Sequence, residues 1–119
     1  MTTQQIANRL VELCRTGDFE KAQKELYAED VISIEPEAMS GFEKETKGLK
    51  GVLKKGEMFQ SMTEKVHGCT VSEPLVTGNS IAFILTMDMT MKGQQRSKSG
   101  ELCVYQVKDG KIISEQFFM

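Results

Sequence analysis

One carboxylate lies where it could transfer protons. Glu35 ends the largely apolar stretch VISIE and is followed directly by Pro36. A carboxyl group enclosed by Met and Phe side chains is disfavoured in its charged form, so its pKa rises. A glutamate at a strand end is also commonly solvated. Glu35 is therefore either a solvent-facing charge or a proton-transfer residue aimed into a cavity.

The histidine and the cysteines offer less chemistry. His67 is the only histidine, which excludes a His-rich metal site, and Cys14, Cys69 and Cys103 form no CxxC spacing. Neither zinc nor a disulfide framework is expected, and reduced thiols fit a cytoplasmic protein. His67 and Cys69 would share a strand face, but neighbours on one strand seldom point at each other. A surface or cavity-lining histidine is favoured over a nucleophilic pair. We expect no metal and no cofactor.

Length and charge exclude several classes of function. The 119 residues predict one domain, residues 1–119, with a single core. The net charge is -2, and the one basic run, Lys47 to Lys55, reads as a solvated helix face. A nucleic-acid groove, which needs clustered Lys and Arg, is therefore not expected. No apolar run reaches the length of a membrane span, and the polar start MTTQQ is not a secretion signal.

The elements that must position Glu35 follow a simple order. Helical spacing predicts a first helix over IANRLVELCR ended by Gly17, a second starting at Asp18, and a third from Leu49 to Phe59. VISIE is a short strand, and PEAMSGFEKETKG has the character of a loop. From Val66 the period changes to two, which predicts consecutive strands joined by short turns. Helices followed by such strands predict an α+β fold with an antiparallel sheet.

The longest strand, SIAFILTMDMTM, has two different faces. One carries Ile81, Phe83, Leu85 and then only methionine, including Met87 and Met89. Such a soft lining suits either an irregular core or a ligand cavity. The other face is less polar than a solvent-exposed face of a sheet usually is. Ile84, Val104 and Phe118 are predicted to form an exposed apolar patch there, which suggests a sheet-to-sheet homodimer.

The order of elements and several short motifs resemble a known family. LCRTGDFEKAQKELYAEDVISIEP is similar to a helix, GD turn, second helix and strand ending in acid-Pro, and KDGKIISEQF is similar to a closing hairpin. The chain resembles the SnoaL-like proteins of the nuclear-transport-factor-2-like superfamily, relatives of polyketide cyclases and ketosteroid isomerases. The resemblance implies a cystatin-like cone, in which three amino-terminal helices pack on a curved antiparallel sheet and enclose a pocket.

The resemblance also implies roles for particular positions. In isomerase-like members the acid before the proline is the general base, here Glu35. Their two oxyanion-hole donors, a tyrosine and an aspartic acid, correspond to Leu10 and Cys103, so both donors are lost. Stabilising an enolate oxygen is usually the largest catalytic contribution. Steroid-type isomerase chemistry is therefore not expected.

The same match places four further side chains toward the pocket. Cys103 and Tyr105 lie on one strand, and Glu115 and Phe117 on the last. Glu115 facing Glu35 across a cavity would form a coupled carboxylate pair able to act as acid and base. The alternative is that Glu101 and Glu115 lie at a wet rim.

Strand alternation leaves the direction of Glu35 open. Ile32 and Ile34 share one face, while Ser33 and Glu35 share the other. Apolarity alone turns the isoleucines inward, whereas the family pattern turns Ser33 and Glu35 to the pocket, and the latter reading is favoured.

These observations predict a protein that binds a small, largely apolar organic molecule. If it is an enzyme, Glu35 and Glu115 are the catalytic candidates for an isomerisation, cyclisation or dehydration without metal or nucleotide. The ligand-binding candidates are Leu10, Phe83, Met87, Met89, Cys103, Tyr105 and Phe117. The alternative is a non-catalytic ligand-binding or dimerisation module of the same fold.

Overall fold

Three helices precede most of the sheet, as the sequence predicts. The computed structural model describes residues 1–37 and 43–119. The helices are α1 (Thr3–Arg15), α2 (Phe19–Leu26) and α3 (Leu49–Met62). The strands are β1 (Tyr27–Ile34), β2 (Glu45–Lys47), β3 (Thr63–Val71), β4 (Leu75–Thr77), β5 (Ser80–Met91), β6 (Ser97–Lys108) and β7 (Lys111–Phe118).

Helix α1 begins at a capping box and ends before the predicted Gly17. Thr2 and Gln5 form a reciprocal capping box, in which each side chain bonds the other residue's backbone N–H. Gly17 follows the last turn with φ of +76°, a conformation that costs glycine little. The buried face of α1 covers the sheet with Ile6, Leu10 and Cys14. No helix in the described ranges combines the length and the apolar character that crossing a membrane requires.

The sheet is mixed rather than wholly antiparallel. Its strand order is β2-β1-β7-β6-β5-β3, and β4 also pairs with β5. β1 runs parallel to β7, whereas every other pair is antiparallel. A parallel pair needs a long connection, and here the chain between β1 and β7 supplies it. The α+β class and the three helices are confirmed, and the parallel pair brings the end of β1 beside the end of β7.

Several boundaries differ from the prediction, and α3 and β3 meet at Met62 and Thr63 rather than near Phe59 and Val66. The segment predicted as a loop contains the short strand β2, which three residues without a period could not reveal. Its residues 38–42 lie outside the described part of the chain. β1 begins at Tyr27, directly after α2. The period of two in VHGCTVSEPLV predicts one strand with an edge or a bulge at Pro74, but the structure has two strands there, β3 and β4, because proline cannot donate to a ladder.

The two faces of β5 behave as its alternation predicts. Ile81, Phe83, Leu85 and Met89 are buried under the helices, and Met87 is half-buried. On the opposite face Ile84 lies across from Leu102, which lies across from Phe118. All three are exposed, so an apolar row crosses three strands of the back face. Val104, predicted for this patch, is half-buried beside the row.

Candidate functional site

The parallel pair β1–β7 places two polar side chains opposite each other inside the protein. Ser33 on β1 is paired with Glu115 on β7, and Tyr105 on β6 is the antiparallel partner of Glu115. Ser33 is 0% exposed and Glu115 is 3% exposed. The face of β1 that carries Ser33 therefore points inward, as the family pattern predicts, and Ile32 and Ile34 lie on the other face.

Glu115 is a buried carboxyl whose two oxygens both accept hydrogen bonds. The Tyr27 hydroxyl donates to Oε1, and the Ser33 hydroxyl donates to Oε2 over 2.6 Å. Burial raises the pKa of Glu115, and the two hydroxyl donors and the Lys55 charge oppose that rise. The group is therefore held in place by two oriented donors.

Lys55 on α3 connects Glu115 with the predicted proton-transfer residue. Its Nζ donates to Ser33 Oγ over 2.7 Å and to Glu35 Oε1 over 2.9 Å. The side chains of Lys55 and Glu35 are 15% and 19% exposed, so this ion pair is largely removed from water. The ammonium also lies 5.9 Å from the centre of the Phe117 ring. We call Tyr27, Ser33, Glu35, Lys55 and Glu115 the Lys55 cluster.

A third carboxyl belongs to the same electrostatic environment. Burial, followed by the charges of Glu35 and Glu115, raises the pKa of Glu101 to about 7. Glu101 lies on β6 with Cys103, whose Sγ is 3.9 Å from its Oε1. A carboxyl with this pKa is partly protonated at neutral pH and can either give or take a proton.

One open cleft reaches the Lys55 cluster from outside. It has a volume of about 560 Å³ and lies between β2 and α3, where Glu45, Lys47, Lys54 and Lys55 contribute to its walls. A second cleft of similar size lies between the start of α2 and Gln60 of α3, away from the cluster. The enclosed pocket that the family resemblance implies stays a prediction.

A family model described as SnoaL-like domain matches residues 1–119. The chain belongs to this family. A proposed SnoaL-like polyketide cyclase from Mesorhizobium loti is 33% identical, with full coverage of both chains and a TM-score of 0.91. No curated protein matches the chain.

More distant solved structures share the fold of this SnoaL-like protein. A protein of unknown function with a cystatin-like fold from Xanthomonas campestris is 20% identical, covers 99% of this chain and 90% of its own, and has a TM-score of 0.82. TerC, co-crystallised with polyporic acid, is 14% identical, covers 98% and 90%, and has a TM-score of 0.81. The predicted cystatin-like fold is therefore confirmed.

The ligand-binding candidates of this SnoaL-like domain lie in or against the core. Leu10, Phe83, Met89, Cys103 and Tyr105 are buried, while Met87 and Phe117 are partly buried and pack against the same core. The rings of Phe83 and Tyr105 stack with centroids 5.4 Å apart. Burial alone does not separate a core residue from a pocket wall, so their role in binding stays a prediction.

The donors expected of isomerase-like relatives are replaced by apolar contacts. Leu10 is 1% exposed and Cys103 is 0% exposed, and burial raises the pKa of the Cys103 thiol well above its ordinary value. Neither side chain can stabilise an oxyanion. Lys55 is the cation at the site, and it lies on α3 rather than on the first helix or the sixth strand.

The histidine and cysteine of β3 do not form a catalytic pair. His67 Nε2 lies 2.8 Å from Thr90 Oγ1, while Cys69 Sγ lies 3.5 Å from the backbone oxygen of Cys14. Among the described residues, no three His, Cys, Asp or Glu side chains group closely enough to hold a metal ion.

Sequence reasoning missed Lys55 and Tyr27. The lysine-rich run around Lys55 predicts a solvated helix face, and for Lys55 this prediction is wrong. The signal that could have found it is helical spacing, since residue 55 lies three after the buried Val52 and four before Phe59, on the inner face of α3. Tyr27 follows α2 without a loop, so nothing in the pattern marked it as inward.

Proposed function

We propose that this SnoaL-like protein binds a small, largely apolar organic molecule and that Glu35 is the residue that transfers a proton of the bound molecule. The reaction class is isomerisation, cyclisation or dehydration without metal or nucleotide. The observation that carries the proposal is the ion pair between Glu35 and Lys55, which is largely shielded from water and whose Lys55 side chain lines the cleft between β2 and α3. The three reaction classes share one step, removal of a proton from carbon next to a carbonyl group.

The ion pair supplies both charges that such a step needs. When Glu35 takes the proton from carbon, the electron pair of the C–H bond moves to the carbonyl oxygen. The negative charge thus leaves the carboxylate and appears on the enolate. Lys55 no longer faces a charged Glu35, so its N–H groups can donate to the enolate oxygen. A donor in a partly dry site stabilises such a charge more strongly than water does.

Glu35 suits this role better than Glu115. Both oxygens of Glu115 accept buried hydrogen bonds, and its side chain is 3% exposed. Glu35 is closer to the surface and is held through one oxygen by Lys55. A base must reach the proton that it removes, and Glu35 meets this condition with less rearrangement.

Two relatives support the ligand class. The Mesorhizobium loti protein, at 33% identity, is a proposed polyketide cyclase, and TerC shares the fold and was crystallised with polyporic acid. Flat, oxygen-bearing organic molecules of this kind carry an apolar body for Phe117 and carbonyl oxygens for the Lys55 ammonium.

A second candidate function is ligand binding without catalysis. The apolar residues at the two donor positions, Leu10 and Cys103, favour it. The two candidates separate on whether bound ligand exchanges protons with solvent.

The test uses two probes. Polyporic acid measures binding by calorimetry. 2-Tetralone, a small apolar ketone with acidic C1 hydrogens, measures proton transfer through deuterium incorporation from D₂O, followed by NMR. We expect saturable binding and an exchange rate that Glu35→Gln lowers by about 100-fold. Glu64→Gln, an exposed glutamate on β3 outside both clefts, is the matched control.

Each outcome decides between the candidates. Saturable binding with an exchange rate equal in wild type and Glu35→Gln would favour the binding module. Failure of both probes to bind would reject small-molecule binding of this class.

We also propose that two copies of the chain associate through the back face of the sheet. The row Ile84, Leu102 and Phe118 is exposed, uncharged and continuous across β5, β6 and β7. A contiguous apolar patch on a sheet face is a candidate surface for protein association. A second copy presents the same row and so covers it without an unpaired charge.

A further inference from the structure

The Lys55 cluster is a chain of hydrogen bonds with a fixed direction. Lys55 Nζ donates to Ser33 Oγ over 2.7 Å, Ser33 Oγ donates to Glu115 Oε2 over 2.6 Å, and the Tyr27 hydroxyl donates to Glu115 Oε1. All of these groups except Lys55 belong to the two neighbouring strands β1 and β7.

The Ser33 hydroxyl group carries one hydrogen, and its neighbours determine which atom that hydrogen points to. An ammonium can only donate, so Ser33 must present a lone pair to Lys55. When Glu115 is ionised its oxygens only accept, so the Ser33 hydrogen then points to Glu115. Tyr27 occupies the other oxygen, so Glu115 keeps one oxygen for Ser33. The three contacts are mutually consistent in this one arrangement.

We propose that Ser33 and Glu115 are positioning residues that hold the Lys55 ammonium beside Glu35. The buried carboxylate fixes the direction of the Ser33 hydroxyl, and the hydroxyl fixes the ammonium. This assignment rests on the proposed function for its consequence in proton transfer, and it gives Glu115 a fixed charge in place of an acid–base role. Glu115 touches no part of a ligand in this arrangement and acts through Ser33.

Besides the Lys55 cluster, the titratable groups that face Glu115 are Glu101, Cys103 and Tyr105 on β6 and Cys14 on α1. Burial raises the pKa of Cys14 to about 12, so this thiol is neutral at physiological pH. Lys55 is the cation among these groups, and it faces Glu115 only through Ser33.

The first test measures the ammonium itself in the protein without ligand. The Lys55 Nζ resonance is assigned by its loss in Lys55→Arg, and its hydrogen exchange is followed by NMR. We expect a slowly exchanging ammonium in wild type and at least tenfold faster exchange in Ser33→Ala. Ser114→Ala is the matched control, because Ser114 adjoins Glu115 on the opposite face of β7. Exchange equal in Ser33→Ala and Ser114→Ala would overturn the proposal.

The second test uses Glu115→Gln, which keeps the volume of the side chain and removes its charge. We expect faster exchange of the Lys55 ammonium here as well, and this variant decides the question if Ser33→Ala does not fold. An ammonium that exchanges as in wild type despite the loss of the Glu115 charge would contradict the assignment.

The third test connects positioning with turnover. With 2-tetralone in D₂O, Ser33→Ala should lower kcat for deuterium exchange by about tenfold and leave KM unchanged, because the ligand does not contact Ser33. A changed KM with unchanged kcat would identify Ser33 as a ligand contact instead. The exchange of the Lys55 ammonium is measured without ligand, so it does not depend on the proposed function. If the proposed function is wrong, deuterium exchange of 2-tetralone is absent while the exchange of the ammonium still differs between wild type and Ser33→Ala.

Discussion

Ser33 and Glu115 face each other across the parallel strands β1 and β7, and Ser33 Oγ lies 2.6 Å from Glu115 Oε2. Both are fully or almost fully removed from water. Burying a carboxyl group costs free energy unless the group is hydrogen-bonded. The register of this strand pair and the position of Tyr27 together supply the two hydroxyl donors that Glu115 requires. The same pairing of β1 with β7 also gives the buried Glu115 its hydrogen bond from Ser33.

Tyr27→Phe should destabilise the protein. The change removes one of the two donors to Glu115 and leaves a buried oxygen without its partner, which costs about 1–3 kcal/mol. Urea unfolding measures the free energy. Tyr105→Phe is the control, because Tyr105 is equally buried but lies outside the Lys55 cluster. Equal losses in the two variants would mean that the Tyr27 contact adds nothing of its own.

Glu101→Gln should stabilise the protein at high pH only. The pKa of Glu101 is raised from 4.5 to about 7 in the folded protein. For an acid with a raised pKa, its contribution to stability is complete below pH 4.5 and is lost as pH rises through about 7. Glutamine does not titrate, so the free energy of unfolding of the variant should exceed that of wild type by about 3 kcal/mol at pH 8 and match it near pH 4.

The measurement for Glu101→Gln is urea unfolding at several pH values. Glu64→Gln, on the exposed face of β3, is the control and should follow wild type. A difference that does not change with pH would show that Glu101 titrates normally.

Lys55→Met should lower the free energy of unfolding by more than the ion pair itself contributes to it. The substitution leaves Glu35 with its charge in a place that is only 19% exposed, which is destabilising by about 3 kcal/mol. Glu35→Gln in the same protein removes that charge and should restore part of the loss. The cycle of wild type, two single variants and the double variant gives a coupling of about 1 kcal/mol or more. Strict additivity would exclude an energetic link between the two side chains.

Strong periodicity explains which elements the sequence could predict. β5 runs from Ser80 to Met91, as its period of two indicates, and the capping box at Thr2 fixes the start of α1. β2 has three residues and no period, so local pattern could not find it. The parallel pairing of β1 with β7 joins residues about 80 positions apart, and no local signal encodes such a contact.

The candidate site was predictable in part for the same reason. Alternation places Ser33 and Glu35 on one face, but only the family pattern chose the inward direction, since the isoleucines on the other face are more apolar. Lys55 was misread because a lysine is normally solvated. Its partners lie 20 and 22 residues away in the chain, so its role is visible only after α3 is folded onto β1.

Gly48→Ala should weaken the start of α3. Gly48 precedes this helix with φ of +87°, where an L-residue is strained, while an added Cβ would find only an ordinary contact 3.8 Å from the Glu29 backbone oxygen. The cost is therefore conformational and about 1–2 kcal/mol. Thermal unfolding measures it, with Gly68→Ala as the control, because Gly68 has open space and no positive φ. A Tm of Gly48→Ala equal to that of the control would contradict the prediction.

Leu102→Lys should separate the proposed dimer. Leu102 lies between Ile84 and Phe118 in the apolar row and is 41% exposed, so a lysine there fits a monomer without loss of core packing. In a symmetric dimer the substitution places two ammonium groups in one apolar contact, which opposes association. Analytical ultracentrifugation should give twice the chain mass for wild type and the single mass for the variant. Lys98→Leu, at the exposed start of β6, is a control outside the row. A wild-type protein that sediments as a monomer at every concentration would reject this interface, and the apolar row would then need another explanation.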